Sequence, residues 1–393
     1  MFMDAYSQPV RPGAIQDGGS ATSRLSREDG AGMKLFRIET PDVSEFQLTL
    51  TPLPQETPSA LAQRLAKIIH SLDATIVRQI AFGPLAACQP MLGALRQALD
   101  AADVPLTWVE GLPCDNAALA GIQVQAIAKA NVQALTLGGH ATARIWRDAL
   151  ATHCVFSNLG AGFGHLSRPE QTQETFVALQ AALAQVEMTM KNVVRTWFFL
   201  DDILNWYGAF NRVRNTVFEQ HELRPGSLPA STGVRGRNPA GAALTAAVWA
   251  VKPHLETNQP VHFVPSPRQC AATAYGSAFS RAVEINSGGF RQLLVSGTAS
   301  IEPGGLTVHV GDVRAQIELT MQVAGSILES RGLDFSDVSR ATAYFKSGAD
   351  LPVFQGWLKE HQLRSLPVVN ACCEICRDDL LFEIELDAIA AGG

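Results

Sequence analysis

Residues 312–330, DVRAQIELTMQVAGSILES, and the Val338-Ser339-Arg340 that follows them carry the reading on which the fold turns. In the first stretch Ile317, Met321, Ala324 and Leu328 recur at helical spacing, so it reads as an amphipathic helix; the second opens a short apolar strand with an arginine at its third position. The same order occurs twice more. TPSALAQRLAKIIHSL from Thr57 precedes Ile76-Val77-Arg78, and EQTQETFVALQAALAQV from Glu170 precedes Val193-Val194-Arg195. The arginines lie at domain-sized intervals, which excludes a solenoid of short repeats.

Outward from these anchors, each unit continues into a second helix and closes on an apolar or alternating strand: GIQVQAIA from Gly121, AALTAAVWAV from Ala242 and LLFEIELDAI from Leu380. RQLLVSGTASI from Arg291 adds a strand before the third unit's first helix. Strands, helix, strand, helix and strands predict an α+β fold: tandem units, each a mixed sheet with two helices on one face. The expected boundaries are a degenerate first unit over 34–130, a second over 131–255 and a third over 256–393. Residues 1–33 have no apolar period and read as a disordered tail.

Composition narrows the class. The chain has 393 residues, 47% hydrophobic and 17% charged, with 18 Phe and 6 Trp, enough apolar surface for two or three globular domains. Lys plus Arg total 31 against 37 Asp plus Glu, a net charge of −6 without a basic run, which disfavours nucleic acid. No apolar stretch reaches the roughly 20 residues of a membrane span, and no signal-like segment opens the chain; a cytoplasmic location is expected, with no membrane partner. Seven dispersed Cys argue for reduced thiols, the lone Cys373/Cys376 pair included. The nine His show no metal-binding spacing, so no metal is expected. Gly160-Ala161-Gly162-Phe163-Gly164 reads as a turn, and Trp197, Trp206 and Tyr207 as packing residues.

The motifs of the third unit resemble the YjgF/RidA (Rid) family. Tyr275-Gly276-Ser277-Ala278-Phe279-Ser280-Arg281-Ala282 is similar to that family's opening element, Val295-Ser296-Gly297-Thr298 to its Ser-Gly-Gln turn, and Phe382-Glu383-Ile384-Glu385 to its Val-Glu-Ile-Glu strand. Rid proteins are trimers with sites between subunits, so three units in one chain allow an internal pseudo-trimer, and a monomer or homodimer of chains. The arginine that Rid imine hydrolases carry after a Pro-Ala pair is missing from Leu366-Pro367-Val368-Val369-Asn370 and from Leu228-Pro229-Ala230-Ser231-Thr232.

Residues 125–390 resemble the chorismatase and hydroxybenzoate synthase branch of this superfamily more specifically. The similarity lies in Arg195-Thr196-Trp197-Phe198-Phe199-Leu200-Asp201-Asp202-Ile203, Pro267-Arg268-Gln269, Phe279-Ser280-Arg281, Val295-Ser296-Gly297-Thr298-Ala299-Ser300 and the run Cys376 to Glu385. The stretch between Pro267 and Phe279 is shorter than that branch's pattern. The resemblance implies a lyase or hydrolase of secondary metabolism acting on a small-molecule carboxylate without a cofactor. Chorismate cleavage to pyruvate and a hydroxybenzoate, 3-hydroxybenzoate favoured over the dihydrodiol, is the first expectation. A Rid-type enzyme for another enol, enamine or imine, and a non-catalytic pseudo-trimeric binding protein, are the alternatives.

An enol ether is opened by protonating its methylene carbon, which calls for a carboxylic acid still protonated near neutral pH. Glu383, flanked by Phe382 and Ile384, is the expected acid; aligning the last strands sets it against Gln123 in the first unit and Thr245 in the second, so one unit keeps a carboxylate. The other reading of Glu383 is a solvated edge residue. Arg281 and Arg377 are candidate cations for the substrate carboxylates, or else each is a surface cation or part of a structural ion pair; Tyr275 and Tyr344 are candidate hydroxyl donors, and Gly297 and Thr298 the turn beside them. Cys376 stands where the hydroxybenzoate-forming branch has a cysteine that shapes the internal route; a buried core thiol is the alternative.

Overall fold

The computed structural model describes residues 23–137, 141–255, 260–287 and 289–392. Three mixed sheets are built in turn along the chain. The first contains β1 (Arg24–Gly30), β2 (Met33–Glu39), β3 (Ser44–Leu50), β4 (Thr75–Phe82), β5 (Thr107–Val109) and, after the short β6 (Leu112–Pro113), β7 (Gly121–Ala128), in the order β1-β2-β3-β7-β4-β5. The second contains β8 (Gln133–Leu137), β9 (Ala141–Arg147), β10 (Ala151–Leu159), β11 (Val193–Leu200), β12 (Ala230–Arg235) and β13 (Leu244–Pro253), ordered β12-β11-β13-β10-β9-β8. The third contains β14 (Val261–Val264), β15 (Ala282–Ser287), β16 (Phe290–Ala299), β17 (Val338–Phe345), β18 (Val368–Cys372) and β19 (Phe382–Ala391), ordered β14-β15-β16-β19-β17-β18, and β6 joins its edge.

Two helices cover one face of each sheet: α1 (Pro58–Ser71) and α2 (Leu85–Leu99), α3 (Arg168–Gln185) and α4 (Ile203–Gln220), α5 (Val313–Glu329) and α6 (Leu351–Glu360). Local chemistry starts them. Thr57 and Asp312 cap the N–H groups of Ala60 and Ala315, and Ser167 with Glu170 forms a capping box. This is the α+β architecture the repeats predict. The five-residue Gly160 motif is a turn of 3-10 helix over Ala161–Phe163 between β10 and α3.

The opening tail needs correction. Residues 24–30 form β1, paired along its whole length with β2, and residues 1–22 lie outside the described ones. The strand is held by its backbone ladder and by contacts far away in sequence, which no local apolar period reveals: Leu25 packs with Phe36 and Phe290, and Arg27 stacks on Phe36 and donates to the Val338 carbonyl at 3.0 Å.

The inner faces of all three sheets meet in one shared core. At its centre are the signature arginines. Each of β4, β11 and β17 has a register shift just before its arginine, between Ile76 and Arg78, Val193 and Arg195, and Val338 and Arg340. Arg195 donates to Glu385 at 2.6 Å, Arg340 to Glu385 and, at 3.3 Å, to Asp387, and Arg78 lies 4.0 Å from Asp387. All three guanidinium groups lie over the Trp197 ring. Burial opposes charge on Glu385, but Arg340 and Arg195 hold its carboxyl below the usual range.

Candidate active site

Along β19 the side chains alternate. Phe382, Ile384 and Leu386 enter the core beneath α5 and α6, which turns Glu383, Glu385 and Asp387 to the junction with the other sheets. Glu383 thereby reaches a cleft between the second and third sheets that encloses a cavity of about 170 Å³. The walls are joined at one end. Ser231 donates its backbone N–H to Ser296 Oγ at 2.9 Å, Ser296 Oγ donates to the Ser280 carbonyl at 2.6 Å, and Gly297 N–H donates to Thr232 Oγ1 at 3.1 Å.

Glu383 is buried, and among the described residues its carboxyl has no hydrogen-bond partner. Burial, reinforced by ionised Glu385 and opposed by Arg195, pushes its pKa up to about 8. It is therefore largely an acid at neutral pH. Gly297 makes room for it: a Cβ there would stand 2.1 Å from Glu383 Oε1.

Three cations line the same cavity. Arg281, also buried, donates Nε and Nη2 to the Cys270 carbonyl at 3.0 and 2.8 Å. Arg377 donates to the Gly305 carbonyl at 2.9 Å, and both guanidinium groups stack on Tyr275, 5.5 and 5.1 Å from its ring centre. The third is Arg214 of α4, whose Nη2 donates to Asn211 Oδ1 at 2.7 Å and whose buried Nε has no partner among the described residues. Burial lowers its pKa, but a guanidinium starts so high that it stays charged. Cys376 completes one wall; burial and the nearby Glu383 push its thiol up to about 12, so it is neutral.

Of the residues singled out in the sequence, Glu383, Cys376, Arg281, Arg377, Tyr275 and Gly297 thus converge on one cavity. Tyr344 and Thr298 do not line it. Tyr344 opposes Glu383 in the ladder but is covered by the Phe82 ring at 5.8 Å, deep in the shared core. Thr298 opposes Ile384, on the helix-facing side, and turns its hydroxyl to the Ser296 carbonyl at 2.9 Å. The register also moves the equivalent of Glu383 in the first unit. Counted from the arginines, Glu383 corresponds to Thr245, as expected, but to Gly121; Gln123 corresponds to Glu385.

The sequence reading missed the second unit's contribution. Tyr207, assigned to packing, lines the cavity with Asn211 and Arg214, one helical face at spacings of four and three. A signal was present: the buried stripe of α4 runs Trp206, Phe210, Arg214, Val217, and a cation within an apolar stripe demands a partner. Among the described residues no cluster of three or more His, Cys, Asp or Glu could hold a metal ion, and no helix is long and apolar enough to cross a membrane.

This cleft between two similar α+β units places the chain in a defined class. The family model described as endoribonuclease L-PSP matches residues 163–239 and 271–391, more than half of the chain, and the protein belongs to that family, the YjgF/RidA family. Within it, the chain is 29% identical over 238 residues to a 3-hydroxybenzoate synthase of Streptomyces hygroscopicus, covering 55% of this chain and 68% of that one. It is 26% identical over 219 residues to a chorismatase of Streptomyces rapamycinicus, covering 49% and 63% respectively. A crystal structure of a chorismatase superposes with a TM-score of 0.62 at 17% identity, covering 88% of this chain and 98% of that one, a likeness of fold.

Proposed function

We propose that the cleft cleaves the enol ether of chorismate, releasing pyruvate and a hydroxybenzoate, with Glu383 as general acid. The observation that carries this reading is a buried carboxyl kept protonated near neutral pH in a cavity that also holds three guanidinium groups. Chorismate offers two carboxylates for those cations and one enolpyruvyl methylene for that proton. The similarity to proteins named chorismatase and 3-hydroxybenzoate synthase supports the same substrate.

Glu383 delivers its proton to the methylene carbon; the π electrons form the new C–H bond and leave an oxocarbenium ion at the ether carbon. Capture by water gives a hemiketal that collapses to pyruvate and a dihydroxycyclohexadienoate. Capture by the neighbouring ring hydroxyl keeps water out of the balance, and loss of a ring proton with C–O cleavage yields pyruvate and 3-hydroxybenzoate. The Glu383 carboxylate recovers its proton in either route. A neutral Cys376 on the wall shields the cation from water and favours the internal route. Nothing in these steps calls for a metal or a redox cofactor.

Incubation with chorismate, with pyruvate and aromatic products followed by chromatography, tests the reading. Glu383→Gln should lose at least 100-fold in rate; undiminished pyruvate release would sink the assignment. Failure of the wild-type protein to turn over chorismate would retire that substrate and favour another enol, enamine or imine for the same acid.

A further inference from the structure

The cleft walls belong to the second and third units, yet one segment of the first unit, residues 109–113, braces both. On the second unit's side, the backbone at Gly236 lies directly on Val109: a Cβ at Gly236 would be 2.4 Å from Val109 Cγ1. The next residues clamp the same stretch. Glu110 N–H donates to the Arg237 carbonyl at 2.8 Å, and its carboxylate receives Arg237 Nε and Nη2 at 2.5 and 2.6 Å. On the third unit's side, β6 extends the sheet, Leu112 opposite Cys372 and Pro113 opposite Ala371, while Gly111 lies against Cys373 Sγ. The braced stretches also touch each other, Arg235 N–H donating to the Glu374 carbonyl at 2.8 Å. They continue β12, which carries Ser231 and Gly233, and lead into Cys376 and Arg377, all at the cavity.

We infer that the first unit, which has no carboxylate at the position of Glu383, is a positioning domain: residues 109–113 set the distance between the cleft walls, with Val109 and Glu110 as positioning residues. The inference rests on this cleft being the reactive site. A wall displaced by about 1 Å would cost on the order of 100-fold in a reaction that depends on alignment. Gly236 is the lever, because any side chain there pushes the two units apart.

The test uses the full chain with Gly236→Ala, alone and combined with Val109→Ala, which removes the opposing methyls. Cys376 is alkylated with iodoacetamide and each thiol is followed by peptide mass spectrometry. Gly236→Ala should raise the Cys376 rate at least fivefold while Cys88 and Cys154, in the helix-covered cores of the first and second units, stay unchanged; the double variant should return it to within twofold of wild type. With chorismate, kcat should fall at least tenfold in the single variant and recover in the double. An unchanged Cys376 rate, a parallel rise at all thiols, or no recovery would overturn the inference. If the wild-type protein does not cleave chorismate, the thiol rates decide alone. Should Gly236→Ala not fold, Glu110→Ala takes its place, with at least a twofold selective rise at Cys376 expected and no rise refuting the idea.

Discussion

Gly297→Ala isolates the placement of the acid from its chemistry. The new Cβ would stand 2.1 Å from Glu383 Oε1 and 3.4 Å from Thr232 Cγ2, so only the carboxyl must give way. An ordinary contact there is above 3 Å, so Oε1 retreats by about 1 Å, a misplacement worth on the order of 100-fold in rate, or about 3 kcal/mol of barrier. Gly297 is not in the left-handed region, and the displaced atoms end a flexible side chain, so stability should change by no more than about 1 kcal/mol. The assay is pyruvate release coupled to NADH oxidation, with thermal unfolding in parallel. Combining Gly297→Ala with Glu383→Gln should be hardly worse than Glu383→Gln alone, because both act on one group. A Gly297→Ala protein within threefold of wild-type kcat/KM would refute the reasoning, as would full additivity in the double variant.

If Glu383 acts as the proposed acid with a pKa near 8, kcat/KM should fall as pH rises through about 8 and be flat below it; a profile rising there would mean that the carboxylate is the working form. The same group makes stability depend on pH. Its folded pKa lies above the unfolded value, so the folded state loses stability as pH rises from about 4.5 to 8, and Glu383→Gln should be more stable than wild type by on the order of 4 kcal/mol at pH 8, converging near pH 4, by denaturant titration. Arg214→Gln should raise KM for a dicarboxylate at least tenfold at little cost to the fold; an unchanged KM would remove Arg214 from the substrate site. Arg195→Met leaves Glu385 short of a buried partner and should cost about 3–5 kcal/mol; a neutral effect in thermal unfolding would show the network to be replaceable by apolar packing. With the three sheets sharing one core, light scattering should find one or two chains per particle; three would contradict an internal trimer.

The architecture was legible because helix and strand periods repeat three times around an arginine, and those periods are local properties. Where the arginines go was not, because Arg78, Arg195 and Arg340 meet only through contacts between units. Glu383 stood out as a carboxylate in an apolar strand. Its counterpart in the first unit was misjudged by two residues because alternation is unchanged by a slip of two; only pairing with the arginine strand fixes the register. Thr298 was misplaced for a related reason, the irregularity between Val295 and Thr298 that resets which face each residue takes. The wall supplied by α4 was hidden, since nothing local says that its Tyr207, Asn211 and Arg214 face another unit.

Three sheets around one core create three related junctions, and they have diverged. Thr232, Thr107 and Val369 occupy the same register beside the strand that follows each arginine. Thr232 accepts from Gly297 N–H at the cleft, Thr107 accepts from Asn158 N–H at 3.1 Å at the second junction, and at the third the Val369 methyls press on Gly121. The counterpart of Glu383 is Thr245 in one and Gly121 in the other. A trimer of identical chains must repeat every site, and each carboxyl held at a pKa near 8 lowers stability by a few kcal/mol at neutral pH. Joining the units in one chain lifts that constraint: the cost of a desolvated acid falls on a single junction, and the other two can fill with apolar and hydroxyl contacts that hold the walls of the first.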